Sequence, residues 1–375
     1  MKRIVLLRTS SYNYDSRVQR TVKALSKINH VTVLAWDRNE NYAVSLSRIE
    51  SGSGRVTIVS YGIKAKFGNG LLKISQYAKY FVMTFRWLVY HRRDYDAIHA
   101  CDFDTAIIAF FFKVFYRKVL VYDIFDYYID SHNIPRLIKR VLQTIDRIIM
   151  KASDYVILCN EEREKQVPGV KKSKLVIVHN SPDVELSSDL SANCGRIASR
   201  KKKICYIGIL GKGRLLPELL EFVSNNDGFE LWIGGFGEYE ELVMRYSLEN
   251  NNIRFFGKVE YESVLRIESM CDIMVATYDP SIRNNRYSAP NKFYEAMLLG
   301  IPILVCKGMG LDRIVEEYEI GIAVDYSFEG LKAGLESLVE GYKTYKNAMV
   351  TKGRRLYDTC YSWQVMEERL NSIYA

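Results

Sequence analysis

The residues best suited to chemistry lie in Ser288-Ala289-Pro290-Asn291-Lys292-Phe293-Tyr294-Glu295-Ala296-Met297-Leu298-Leu299-Gly300-Ile301-Pro302. Proline at a helix start loses only an N–H that would have no partner, so Pro290 opens a helix near 290–299. Lys292 and Glu295, three apart, fall on one face of its first turn. Gly300-Ile301-Pro302 then stops it before the strand Ile303-Leu304-Val305. A helix N-terminus favours anions, and a lysine beside it adds charge for a phosphate. A carboxylate one turn further in can accept two hydrogen bonds from a ribose diol. The competing reading is a plain surface ion pair between Lys292 and Glu295.

A second candidate is the strand-turn-helix Ile204-Cys205-Tyr206-Ile207-Gly208-Ile209-Leu210-Gly211-Lys212-Gly213-Arg214-Leu215. Its glycines let backbone approach a ligand, and Lys212 and Arg214 stand where a diphosphate would meet cations. Gly234-Gly235-Phe236-Gly237 repeats the logic one unit on. Two familiar nucleotide motifs are excluded. Gly235-Phe236-Gly237-Glu238-Tyr239-Glu240 lacks the third glycine of a dinucleotide fingerprint, and Tyr206 and Gly213 stand where a P-loop needs a glycine and a hydroxyl.

In the first half, Asp96-Ala97-Ile98-His99-Ala100-Cys101-Asp102-Phe103-Asp104-Thr105 ends a strand and opens a helix. Asp102, read as the helix cap at a strand's C-terminal edge, is placed for chemistry, with His99 as its partner or as a satisfied core histidine. Asp102 and Asp104 also spell a DxD metal-diphosphate motif. That reading is set aside because a hard cation needs carboxylates converging on one phosphate, and no metal is expected. Val119-Leu120-Val121-Tyr122-Asp123-Ile124-Phe125-Asp126 is a further strand whose end carries Asp123 and Asp126. The loop Arg8-Thr9-Ser10-Ser11-Tyr12-Asn13 offers Ser11 and its neighbours as donors or as a capping loop.

These segments need scaffolds that deliver strand ends to one edge. Short β-branched runs alternate with helical patterns: strands near 3–8, 31–35, 56–60, 96–99, 119–122, 155–159 and 175–178, then near 204–209, 229–234, 253–257, 272–277, 302–306 and 321–325. This predicts an α/β chain of two Rossmann-like, doubly wound domains facing a cleft. The expected division is 1–185 for an N-terminal domain, 186–203 for a polar linker, 204–358 for a C-terminal domain, and 359–375 for a helix crossing back over both. The 375 residues are 48% hydrophobic and 26% charged, as in folded globular proteins. Seven cysteines without a CxxC pair read as reduced thiols.

The motifs together resemble the family-4 retaining glycosyltransferases of the GT-B fold, of the bacterial surface-polysaccharide type. By this resemblance Glu295 holds the donor ribose, Arg214 and Lys292 hold its diphosphate, and Gly208, Lys212, Pro290 and Asn291 complete the donor turns. Phe255-Phe256-Gly257-Lys258-Val259 resembles the stretch whose backbone receives the nucleobase, which places Gly257 and Lys258 at the donor. His99-Ala100-Cys101-Asp102 resembles a His-x-His-Asp segment, with Cys101 in place of the second histidine. Trp363 resembles the start of the closing helix. The departure is Tyr287, which stands where families with Glu-x7-Glu carry their first glutamate. The resemblance implies transfer from a nucleotide sugar, such as a UDP-sugar, held by the 204–358 domain, to the hydroxyl of a lipid-linked glycan bound by the 1–185 domain, where Asp123 and Asp126 would make acceptor or structural contacts. It implies no other cofactor and no obligatory metal. A nucleotide-sugar epimerase and a non-catalytic nucleotide-sugar or glycan-binding subunit are the alternatives.

Charge suggests where this would happen. Residues 1–180 carry 30 basic and 16 acidic side chains, a net of +14, against 23 and 28 in the remainder, −5. From Ser51 to Arg93 there is no acid at all. Residues 71–91 fit a helix with Leu71, Ile74, Ala78, Phe81, Phe85 and Leu88 toward the core and Lys79, Arg86, Trp87 and Tyr90 on the other face. Cations mixed with aromatic residues suit an anionic membrane surface, whereas nucleic acid finds no recognition motif. No stretch is long enough to span a bilayer and no signal-peptide core is present, so the expected location is cytoplasmic, peripheral on the inner face of the cell membrane.

Overall fold

The computed structural model describes residues 1–42, 44–51, 54–65, 72–131, 135–184 and 201–375. It divides into unit 1, Met1–His179 with Met366–Ala375, and unit 2, Asn180–Val365. Of the expected linker, 186–200 lies outside the described residues, while Lys202 and Lys203 already belong to the first strand of unit 2.

Unit 1 runs β1 (Arg3–Arg8), α1 (Ser16–Ser26), β2 (His30–Asp37), β3 (Ser45–Ser51), β4 (Gly54–Gly62), α2 (Leu72–Tyr90), β5 (Ala97–Cys101), α3 (Phe103–Tyr116), β6 (Val119–Ile124), α4 (Tyr128–Ser131), α5 (Arg136–Ala152), β7 (Tyr155–Leu158) and β8 (Leu175–Ile177). The strands form one sheet in the order β3-β4-β2-β1-β5-β6-β7-β8. All neighbours are parallel except β3 and β4. A parallel strand covered on both faces must be apolar throughout, and Ile4, Val5, Leu6 and Leu7 of β1 are accordingly buried. β3 was not anticipated. Its sequence SLSRIES is polar and it lies at the exposed edge, where no core dictates composition.

Unit 2 runs β9 (Lys202–Ile209), α6 (Leu216–Ser224), β10 (Phe229–Phe236), α7 (Glu240–Glu249), β11 (Ile253–Phe255), α8 (Tyr261–Ser269), β12 (Ile273–Ala276), α9 (Arg283–Arg286), α10 (Asn291–Leu299), β13 (Ile303–Cys306), α11 (Leu311–Tyr318), β14 (Gly321–Val324) and α12 (Phe328–Glu340). Its sheet is wholly parallel, β11-β10-β9-β12-β13-β14. A further helical run over 342–361 includes two π turns. Ser362, in extended conformation, ends it before α13 (Trp363–Ser372). From Met366 onward this last helix packs with unit 1: Arg369 donates to the Ile177 carbonyl at 3.0 Å and Met366 Sδ accepts the His179 amide.

Each sheet reverses its winding once, β1 beside β5 in unit 1 and β9 beside β12 in unit 2. At such a switch point the connections leave in opposite directions, and the carboxyl ends of the two strands open a crevice that can take a ligand. The strand ends there are Arg8 and Cys101 in unit 1, and Ile209 and Ala276 in unit 2.

Candidate functional sites at the two switch points

In unit 2, Pro290 precedes α10 with φ −65° and ψ 134°, and no side chain caps the helix. Lys292 and Glu295 point inward and are buried. The plain surface ion pair is thereby excluded. The Lys292 ammonium lies 4.4 Å from the centroid of the Tyr206 ring. It also lies so close to Gly208 that a Cβ there would meet Nζ at 2.7 Å. Burial works against its charge, while the Tyr278 and Tyr206 hydroxyls and the Glu295 and Glu268 carboxyls favour it, and the net is an ammonium held above its ordinary range. Arg214 follows Gly213 (φ +75°) in the β9–α6 turn and lies 5.0 Å over the Tyr278 ring. Its carbonyl accepts from Thr277 Oγ1 at 2.7 Å, which ties the turn to the end of β12. Tyr261 donates to Glu295 Oε1 at 3.2 Å.

Close backbone approach explains the neighbouring glycines. A Cβ on Gly235 would sit 1.7 Å from the Gly208 carbonyl oxygen. Gly257 is left-handed (φ +62°) with open space around it, and its carbonyl accepts from Gly235 N at 2.6 Å. Two expected donor residues do not converge with the others. Lys212 is exposed and pairs with Glu238 at 2.7 Å, and Lys258 is exposed, 5.7 Å from the Phe236 ring centroid. Asn291 is half-buried in the first turn of α10. Tyr287 is half-buried at the end of α9.

In unit 1, Asp102 lies at the carboxyl end of β5 with φ 68° and ψ 169°, a region that is nearly closed to residues with a Cβ. Its side chain does not cap α3. Instead Oδ1 accepts from the amides of Phe125 (2.9 Å) and Asp126 (3.3 Å), and Oδ2 binds the Arg8 guanidinium. Burial pushes this carboxyl up to about 6, with Arg8 pulling it down and Asp104 and Asp126 adding to the rise. Arg8 also binds Asp15 at 2.7 Å, and Asp15 caps α1 through Val18 N. The Arg8 and Arg17 guanidinium carbons each lie 4.4 Å from the centroid of the Phe125 ring. Asp104 accepts from Thr9 Oγ1 at 2.6 Å, so the DxD pair is divided between two structural partners.

His99 and Asp123 are corrected from site groups to core groups. His99 has no exposed surface: Nδ1 bonds the Tyr374 hydroxyl at 2.8 Å and Nε2 bonds Asp123 at 3.2 Å. Asp123 is equally buried and also accepts from Arg17 at 2.8 Å. Burial opposes its ionisation, but Arg17 and His99 hold it below the usual carboxylate range. His99, Cys101 and Asp123 do bring three possible metal-ligand atoms within 4.8 Å of one another. Arg17 already neutralises Asp123, and burial pushes the Cys101 thiol well up, so the donor set suits a hydrogen-bonded core better than a cation. Asp126 remains exposed and pairs with Arg163 at 3.2 Å. Ser11 is half-buried before the short turn Tyr12–Tyr14 and makes no capping bond.

Sequence reasoning passed over Arg8, Arg17 and Phe125 in unit 1 and Tyr206, Tyr261, Thr277 and Tyr278 in unit 2. A readable signal existed for Arg8: it is the charged residue that follows the buried run Ile4, Val5, Leu6 and Leu7 at the carboxyl end of a central strand. On α2, Lys79 and Arg86 are exposed, but Trp87 packs against the core and stacks on His91, and Tyr80 is fully buried. Trp87 is therefore withdrawn from the proposed membrane face.

Over its whole length the chain superposes on Anabaena HepE in complex with UDP, with a TM-score of 0.71, 14% identity and 99% of that chain covered. The fold is GT-B. Residues 191–355, which fall within unit 2, match the family described as glycosyl transferases group 1. An uncharacterized glycosyltransferase of Methanocaldococcus jannaschii is 24% identical over 211 residues, 53% of this chain and 52% of that protein. A GDP-mannose-dependent monoacylated alpha-(1-6)-phosphatidylinositol monomannoside mannosyltransferase of Corynebacterium glutamicum is 24% identical over 168 residues, 44% of this chain and 43% of that protein. The chain thus spans about half the length of these curated relatives.

Proposed function

We propose that this GT-B protein is a retaining hexosyl- or N-acetylhexosaminyltransferase that moves a sugar from a nucleotide-diphosphate sugar to the hydroxyl of a lipid-linked glycan in surface-polysaccharide assembly. It would work at the inner face of the cell membrane without an obligatory metal. The observation that carries the reading is the constellation at the unit 2 switch point: buried Lys292 against bare Gly208, Arg214 over Tyr278, and Glu295 held by Tyr261. UDP in HepE supports a uridine donor, and the phosphatidylinositol mannoside in the name of the corynebacterial relative supports a lipid-borne acceptor.

In this reading Glu295 accepts from the donor's ribose hydroxyls while Lys292 and Arg214 face its diphosphate. The acceptor oxygen bonds the sugar's C1 as the bond from C1 to the diphosphate oxygen breaks, and the acceptor proton passes to the departing phosphate. Charge grows on that phosphate, so cations fixed beforehand stabilise the transition state more than the ground state. In unit 1, Asp102 and Asp126 form the edge offered to the acceptor, and Asp102 is held in place by Arg8 and two amides.

The test is transfer of radiolabelled sugar by Lys292→Ala, Arg214→Ala and Glu295→Ala variants; undiminished activity in all three overturns the donor site. Tyr287, in the place of a glutamate, favours a second reading, a subunit that binds a nucleotide sugar without turning it over. Thermal stabilisation by UDP-sugars with neither transfer nor hydrolysis would establish that reading instead.

A further inference from the structure

Helix α5, RLIKRVLQTIDRIIMKA, carries Leu137, Val141, Ile145 and Ile148 at spacings of four, four and three, which line one helical face. In an ordinary surface helix that stripe faces the core. Here it faces outward: these residues and Ile138 are between 38% (Ile145) and 76% (Leu137) exposed. The side turned inward buries Ile149, Met150 and Asp146, the helix's single acid, which accepts from the Tyr122 hydroxyl at 2.9 Å. Arg136, Arg140, Arg147 and Lys151 are exposed beside the stripe. A contiguous apolar strip of this kind marks a surface that something covers.

Charge decides the occupant. A second copy of the chain would bring the same cations against these, and α5 has no outward acid to pair with them. A bilayer containing anionic lipid complements both features, taking the apolar side chains at the head-group boundary and the cations on its phosphates. In chain order α5 also follows the carboxyl end of β6, its first residue Arg136 coming ten positions after Asp126, whose amide with that of Phe125 holds Asp102. We propose that α5 is a membrane-docking helix lying in the surface of an anionic bilayer, with Leu137, Ile138, Val141, Ile145 and Ile148 inserted. This deepens the membrane half of the proposed function, places the contact on α5, and does not depend on the transferase half.

The experiment is sedimentation of the whole protein with phosphatidylcholine vesicles, with and without phosphatidylglycerol. Wild type is expected to partition onto the anionic vesicles. A Leu137→Ser/Val141→Ser/Ile145→Ser variant and an Arg136→Glu/Arg140→Glu/Arg147→Glu variant are each expected to lose about tenfold or more of that partitioning. Both change exposed positions, so circular dichroism and thermal stabilisation by UDP-sugars should stay as in wild type. Variants that bind like wild type overturn the α5 assignment alone. A wild type that ignores anionic vesicles overturns the membrane reading with it. A wild-type dimer that the serine variant converts to monomer, without vesicle binding, assigns the face to self-association instead.

Discussion

The two switch points hold their cations in opposite ways. In unit 1, Arg8 lies between Asp15 and Asp102, Arg17 binds Asp123, and Arg163 binds Asp126. In unit 2, Lys292 and Arg214 rest on the faces of Tyr206 and Tyr278, and neither has a carboxylate ion pair among the described residues. An aromatic face steadies a cation without neutralising it. The unit 2 edge therefore keeps positive charge available for a ligand, whereas the unit 1 edge consumes its charge in holding its own loops. The same winding leaves its cations on aromatic faces in one unit and pairs them with carboxylates in the other.

The largest test of this contrast is Asp123→Ala, which leaves Arg17 buried without its carboxylate. Unit 1 is expected to lose about 3–5 kcal/mol in denaturant unfolding, while UDP-sugar binding by whatever remains folded is retained. The reverse pattern is expected for Lys292→Ala: transfer falls by about 10²–10³-fold, with a much smaller change in unfolding midpoint. If Lys292→Ala instead unfolds the protein and keeps its activity, the division of roles fails.

Acid–base behaviour sharpens the same comparison at smaller scale. Burial pushes Asp146 up to about 7, with the Tyr122 hydrogen bond opposing and the Asp102 charge adding, while an unfolded aspartate titrates near about 4. The folded state then holds a proton that the unfolded state releases. Stability from this group is complete below about pH 4 and declines as pH rises to about 7. Thermal melts should show that decline, and Asp146→Asn should flatten it. The smallest effect expected is Gly208→Ala. Gly208 has φ +156°, which a residue with a Cβ rarely adopts, and the new Cβ would meet Lys292 Nζ at 2.7 Å, so the melting temperature should fall by a few degrees while affinity for a UDP-sugar weakens several-fold, read by titration calorimetry.

Much of the fold could be read from residue pattern, and the misses share a cause. β1 and β9 declare themselves because burial on both faces demands unbroken apolar runs, and α10 because Pro290 and Gly300 mark its ends. α12 is hard to read from sequence because Gly330 and Gly334 weaken its helical signal, yet a Cβ on Gly334 would lie 2.4 Å from Val324, so packing requires the glycine. On α2 the expected inward residues Phe85 and Leu88 do pack on the core, but the buried face is rotated toward Tyr80, Thr84 and Trp87, leaving Phe81 exposed, because the Tyr80 hydroxyl finds the Arg8 and Leu34 carbonyls inside the unit; Leu71 lies outside the described residues. In the sites, Lys292, Glu295 and Asp102 were visible as types at strand and helix ends. Their supports were not: Tyr206, Tyr261 and Tyr278 reach them through the tertiary fold, and His99 could be told from a catalytic base only by finding Tyr374 on its ring nitrogen.

That last bond ties events in time as well as in space. Tyr374 and Arg369 belong to unit 1 but are translated after the whole of unit 2. While the ribosome is still making unit 2, His99 has no partner for Nδ1 and the Ile177 carbonyl lacks Arg369. The first unit to leave the ribosome is thus the last to be finished. A nascent chain arrested before Met366 would present chaperones and proteases with an eight-stranded sheet whose central strand β5 carries an imidazole held by Asp123 alone, its Nδ1 still without Tyr374.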